Sequence, residues 1–272
     1  MSTDRTEQNG NGTGSDAGTG SDAAVYVYGI VPSDVEPEDH ARGVGEPPAE
    51  ISVVRSGRVA ALVSEIPLDR PLGTPDDLTA HAELLDGTVT VAPVLPLRFG
   101  AVLTDRDAVA SELLEGHEEE LVSALEQLDG LAQFVVKGRY VERTILQEIL
   151  DENTDAAQLR EQIRGQSEDA TREARMALGE IINATIESKR AEDTRRTVEA
   201  LESFDPMVNE RPPTHEQDAV HIAVLMKLDE QDRLEDALRE LAQEWENRVD
   251  LNLLGPMAAY DFITKSDPGE GG

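Results

Sequence analysis

His117 and Glu118 open the stretch "HEEEL" (117–121), which has the beginning of a helical zinc motif. In that motif two histidines four residues apart hold the metal and the glutamate between them activates water. Position 121 is leucine, so the second ligand is missing. His81 is followed four residues later by Leu85 and has no partner ligand at that spacing. His215 and His221 are separated by a loop and part of a strand, and neither has a carboxylate in local register. Nucleophilic chemistry has no foothold either: there is no cysteine, no GxSxG elbow, and no serine with a base nearby in sequence. Paired carboxylates carry no information in a chain with 56 acidic residues. The histidines read as structural or exposed. The sequence gives no positive sign of an enzyme, a metal site or a cofactor.

One cation stands apart. Arg98 lies within the apolar run "APVLPLRFGAVL" (92–103), behind Pro93 and Pro96. Read as a strand, the run puts Leu97 and Phe99 on one face and Arg98 on the other. Burial there demands an acidic partner, so a structural ion pair is the first reading. The second is a cation presented to a binding partner.

The elements that must position these residues follow from pattern. "AVYVYGIV" (24–31) reads as a buried strand, and "ISVVRSGRVAALVSEI" (51–66) as a hairpin turning at Ser56-Gly57. A helix follows Pro75, with Asp76 or Asp77 as its cap. "VLPLRFG" reads as a fourth strand, then residues 105–128 as two helical segments jointed near Gly116. "LAQFVVKGRYV" (131–141), "DAVHIAVLMKLD" (218–229) and "VDLNLLGPMAAYDFI" (249–263) read as strands, the last bent at Gly255-Pro256. Between the first two of these, residues 144–204 are helical in character. Ile163, Ala170, Ala177 and Ala184 suggest a narrow packing seam, and Glu168–Arg172 and Glu192–Arg196 suggest i,i+4 ion pairs. Residues 230–248 form an amphipathic helix with Leu234, Leu238, Leu241 and Trp245 inward. The expected fold is α+β. A disordered acidic tail (1–23) precedes an N-terminal α+β domain (24–130). A C-terminal ferredoxin-like domain with long helices (131–264) and a frayed tail (265–272) follow.

Composition narrows the function classes. The net charge is −32, and only four of the 24 basic residues are lysine. Such a surface repels nucleic acid and anionic membranes. Acid-rich and lysine-poor, it fits a salt-filled cytoplasm in which screening relieves self-repulsion. No apolar run is long enough to span a membrane, and the N-terminal stretch has no signal-peptide core. The nine aromatic residues concentrate on strands, Tyr26, Tyr28, Phe99, Tyr260 and Phe262 among them. Most should be core; a minority reading has some lining a docking surface.

Four blocks together resemble the gas vesicle protein F/L family, and more its haloarchaeal L branch. They are "YVYGIV" (26–31), His81, Pro96-Leu97-Arg98-Phe99-Gly100, and "LLGPMAAYDF" (253–262), in order over residues 24–264. Met257-Ala258-Ala259 departs from the bulkier Trp-Pro-Pro of the family pattern. The resemblance implies two α+β domains, the second a modified ferredoxin-like one. It also implies a non-enzymatic, minor component of the gas vesicle, which contacts the shell protein and other accessory proteins during nucleation and assembly. Arg98, Met257, Tyr260 and Phe262 are the candidate partner-binding residues. The alternatives are an acidic ferredoxin-like ligand-binding or regulatory module, or an enzyme whose site comes from distant residues.

Overall fold

The computed structural model describes residues 23–38, 41–67 and 71–263. The expected tails, 1–23 and 265–272, lie outside these except for Ala23, which opens the first strand.

The first sheet is antiparallel. It contains β1 (Ala23–Pro32), β2 (Ser52–Ser56), β3 (Val59–Pro67), β4 (Leu95–Pro96) and β5 (Val102–Leu103), in the order β2-β3-β1-β4, with β5 also on β1. β1 is buried on both faces, which is why its sequence is a continuous apolar run rather than an alternation. Its register with β3 shifts between Val27 and Gly29. A Cβ at Gly29 would stand 2.8 Å from both Leu85 Cδ2 and the Leu95 carbonyl oxygen, so only glycine lets β1 pass between them. Leu85 belongs to α1 (Pro75–Val89). The cap of α1 is Thr74, not Asp76 or Asp77: the Thr74 side chain accepts from the Asp77 backbone N–H, and the Asp77 carboxylate accepts from the Thr74 N–H. Asp77 is thus the third helical residue of a capping box, with proline at the first.

The expected strand at 94–100 is mostly a turn. Pro93 and Pro96 cannot donate to a ladder, so pairing is confined to Leu95–Pro96, and Arg98 lies beyond any strand. A short helix α2 (Arg106–Ala108) runs through a π-helical turn (Val109–Leu114) and a 3₁₀ turn (Glu115–His117) into α3 (Glu118–Leu128). The joint falls at Gly116, as the sequence suggests.

Gly130, at φ +69°, leads into the second sheet. Its strands are β6 (Leu131–Tyr140), β7 (Met207–Glu210), β8 (Asp218–Lys227) and β9 (Val249–Met257), in the order β7-β8-β6-β9 with every pair antiparallel. This is the ferredoxin-like arrangement. α4 (Glu142–Glu152), α5 (Thr154–Ile163) and the 29-residue α6 (Arg172–Ala200) replace its first crossover helix, and α7 (Gln231–Glu244) is its second. Leu234, Leu238, Leu241 and Trp245 are buried, as the 3.6-residue period requires.

The interior of the helical region departs from expectation. Ala170 and Ala184 are exposed, so the sevenfold row is not a seam; Leu178, Ile181, Ile182 and Ile186 form the packed row instead. Glu192 pairs with Arg195, and Arg196 reaches across to Glu244 on α7. No Glu168–Arg172 pair forms among the described residues. A further group was not visible in sequence. Arg248 Nε lies 2.8 Å from Glu148 Oε2 and Arg248 Nη2 2.9 Å from Asp193 Oδ2, while Tyr140 donates to Asp193 at 2.6 Å and Lys189 bonds Glu148 at 2.5 Å. These residues tie α4 and α6 to the ends of β6 and β9.

Both apolar clusters draw on both halves of the chain. One joins Tyr26, Tyr28 and Leu85 to Phe134, Val136 and Trp245; the other joins Val25, Val27 and Leu125 to Leu225 and Ala259. No helix among the described residues is long and apolar enough to cross a membrane.

Candidate docking surface

The four sequence blocks meet around α1. Tyr26 and Tyr28 point from β1 to this helix, where His81 Nδ1 lies 2.9 Å from the Tyr26 hydroxyl. The same hydroxyl accepts from the Gly100 N–H at 3.1 Å, and Leu97 N–H donates to the Tyr28 carbonyl at 2.9 Å. Phe99 closes the group, with its ring centroid 5.6 Å from His81 and 5.8 Å from Tyr26. The Pro-Leu-Arg-Phe-Gly turn is therefore held from inside by a tyrosine–histidine pair. Burial pushes the Tyr26 hydroxyl up to about 12 and lowers His81 below its ordinary value. A neutral imidazole accepting at Nδ1 carries its proton on Nε2. The Leu97 backbone opposes the downward shift, yet Nε2 finds no partner of normal hydrogen-bond geometry.

The fourth block joins through the other end of α1. Asp86 accepts from the Ala258 backbone N–H at 3.0 Å, and burial raises its carboxyl. Tyr260 follows two residues later. Burial, then the Asp86 and Tyr26 charges, push its hydroxyl above the usual range, although 37% of the residue remains exposed. Next, Asp261 is pinned across the second sheet: its N–H donates to Gln133 Oε1 at 2.9 Å and its carboxylate pairs with Arg211 at 3.0 Å. The bend before this segment needs Gly255, at φ +123°, where a Cβ would meet the Gln133 carbonyl oxygen at 2.8 Å.

The four candidate residues fall in different environments. Arg98 is exposed and has no ion-pair partner among the described residues, so the expected structural ion pair is not formed. Its reason is the turn: with no strand there is no inner face for the side chain to enter. Tyr260 is exposed. Met257 and Phe262 are half-buried, Phe262 packing against the second apolar cluster, and Gln133 Nε2 lies 3.6 Å from Met257 Sδ. An exposed apolar residue on this segment that sequence reasoning missed is Leu254, at 52%. It was legible in principle, since it shares a strand face with Asp250 and Asn252. Asp86 left no such signal.

His215 and His221 have local roles. His221 Nδ1 donates to the Pro212 carbonyl, and His215 Nδ1 accepts from Gln217 N–H. Glu118, from the metal-like stretch, accepts from both the backbone and the side chain of Arg58 and so fixes the β2–β3 turn. Among the described residues no three His, Asp or Glu side chains are grouped to hold a metal ion.

Fold and joint together define a two-sheet α+β protein whose second half is ferredoxin-like. The family model for gas vesicle synthesis protein GvpL/GvpF matches residues 24–264, and the chain belongs to that family. It is 33% identical over 243 residues to gas vesicle protein F of a Streptomyces species, spanning 88% of this chain and 99% of that protein. Gas vesicle protein L of the same species is 32% identical over 130 residues, 43% of this chain; these likenesses show the family and do not separate its F and L branches. The crystal structure of GvpF from an Anabaena species superimposes with a TM-score of 0.75 at 21% identity, covering 90% of this chain and 99% of that one. That of Microcystis aeruginosa GvpF gives 0.69 at 20% identity. The structural likeness concerns the fold.

Proposed function

We propose that this chain is a non-catalytic accessory protein and minor component of the gas vesicle. In this reading it binds the shell protein and other accessory proteins during nucleation and assembly, with residues 24–130 and 131–264 acting as two domains joined at α1. Family membership supports the gas vesicle role. The observation that carries the binding role is β9. It is the nine-residue edge of the second sheet, with exposed Leu254 at its bend and exposed Tyr260 just beyond. An edge strand offers unpaired backbone groups to an incoming strand, and alternate side chains add selectivity. A shell subunit that excludes water must carry an apolar face, which aggregates unless covered before assembly. A partner with a net charge of −32 remains soluble while covering it. Arg98, held outward by the Tyr26–His81 pair, is a second contact in this reading.

The test is genetic. Deleting the gene, with no related gene able to substitute, should abolish or impair vesicles while shell protein is still made. The wild-type gene should restore them, and a folded Leu254→Lys/Tyr260→Lys variant should not. Normal vesicles in the clean deletion would refute the assembly role.

A further inference from the structure

The apolar run at 92–103 and the valine just before it are not all used in the core. Val94 and Leu95 are buried, but Val91 is 77% exposed, and it lies with Ala92 and Pro93 at the wall of an open cleft of about 680 Å³. Val35 and Val122 complete the apolar surface, over the buried Leu125. This volume lies in the range of binding pockets. The rim is acidic: Asp34, Glu36, Glu126 and Asp129. Its one cation, Arg58, is already held by Glu118, and Glu36 by Arg55.

Two helices also end here. α1 stops at Val89, two residues before Val91, and α3 stops at Leu128, beside Asp129. Neither has a basic residue in its last turn. A helix C-terminus carries partial negative charge and favours cations, and these two ends lie beside three carboxylates that form no ion pair among the described residues, Asp34, Glu126 and Asp129.

We propose that this cleft binds a partner segment of apolar side chains flanked by lysine or arginine, docked as an amphipathic helix. Two or three apolar side chains cover Val35, Val91 and Val122, and the flanking cations meet the rim carboxylates and the ends of α1 and α3. The cleft belongs to the first half of the chain and shares no strand with β9, so the two surfaces can fail separately.

The probe is a synthetic helical peptide with leucine at i, i+3, i+4 and i+7 and lysine at the flanking positions, with a glutamate-flanked twin. Both are titrated into the full chain and followed by backbone NMR shifts. The lysine peptide should perturb Val35, Val91 and Val122, and the twin should not bind. Asp34→Asn/Glu126→Gln/Asp129→Asn should weaken binding at least tenfold, and Val91→Asp should abolish the perturbations at the cleft. A control that neutralises three exposed acids of α6, Glu173→Gln/Glu180→Gln/Glu187→Gln, should weaken binding less than twofold. Equal loss in both triple variants, perturbations spread over the whole acidic surface, or equal binding of the two peptides would overturn the assignment. So would an absence of binding by the lysine peptide.

Discussion

His81 Nδ1 and the Tyr26 hydroxyl stand 2.9 Å apart although 55 residues separate them, and the same hydroxyl holds the Gly100 N–H. Removing it leaves a histidine nitrogen and a backbone N–H unsatisfied in a mostly buried site. Tyr26→Phe should therefore cost about 1–3 kcal/mol, read from chemical denaturation. A change below about 0.5 kcal/mol would mean that the pair does not hold the turn.

The same histidine predicts a pH dependence. Its folded value lies below the ordinary 6.5 because burial disfavours the charged ring. Above pH 6.5 both folded and unfolded forms are neutral, and no stability is lost. As pH falls below 6.5 the unfolded chain takes up the proton first, so stability falls with a limiting slope of about 1.4 kcal/mol per pH unit. Asp86 acts with the opposite sign at lower pH. Its raised carboxyl is a penalty above the folded value that is relieved as protonation occurs, so the loss beginning at 6.5 belongs to His81. His81→Gln should flatten the profile between pH 6.5 and 5.5, and an unchanged profile would contradict this assignment.

Arg248 is the centre of the ion cluster in the second half. Arg248→Met leaves Asp193, with a side chain 3% exposed, and Glu148, at 22%, without their shared cation. The expected cost is about 2–4 kcal/mol, short of that for a wholly buried pair because Glu148 retains some water. Arg248→Met/Asp193→Asn should recover part of it. A double mutant no more stable than the single one would show that the carboxylate is not the source of the loss.

Arg98 gives the contrasting case. It is exposed, so Arg98→Ala should move stability by no more than about 0.5 kcal/mol. Any larger effect of this substitution should be on partner binding. The paired readout is a denaturation curve and a shell-protein pull-down on one preparation; loss of stability would return Arg98 to a structural role.

Salt acts on the whole chain. With a net charge of −32, folding should be more stable in molar KCl than in dilute buffer, since screening shortens the Debye length to about 3 Å. A melting midpoint that is flat or falling across a KCl series would contradict this.

Much of the architecture was legible because it rests on local patterns. The hairpin at Ser56-Gly57, the buried runs of β1 and β8, and the inward face of α7 each follow from periodicity and turn residues. What failed depended on distant partners. Two prolines cut the fourth strand to two residues, and this moved Arg98 from a sheet face to a turn. The cap of α1 was misplaced because Thr74 and Asp77 act as a reciprocal pair. Arg196 faces Glu244 across two helices instead of Glu192 along one. Of the candidate contact residues, Tyr260 is exposed and Phe262 is half-buried against the second apolar cluster, while Leu254, which the run of the sequence did not single out, is exposed because the strand turns it outward.

The most direct test of the account is binding of purified shell protein to this chain in molar KCl. Leu254→Lys, Tyr260→Lys and wild type should be compared after each variant is shown to melt like the wild type. The account predicts that wild-type binding survives high salt, because apolar and strand-edge contacts dominate, and that each variant weakens it at least tenfold. Binding that vanishes as salt rises, or variants that bind like the wild type, would contradict it.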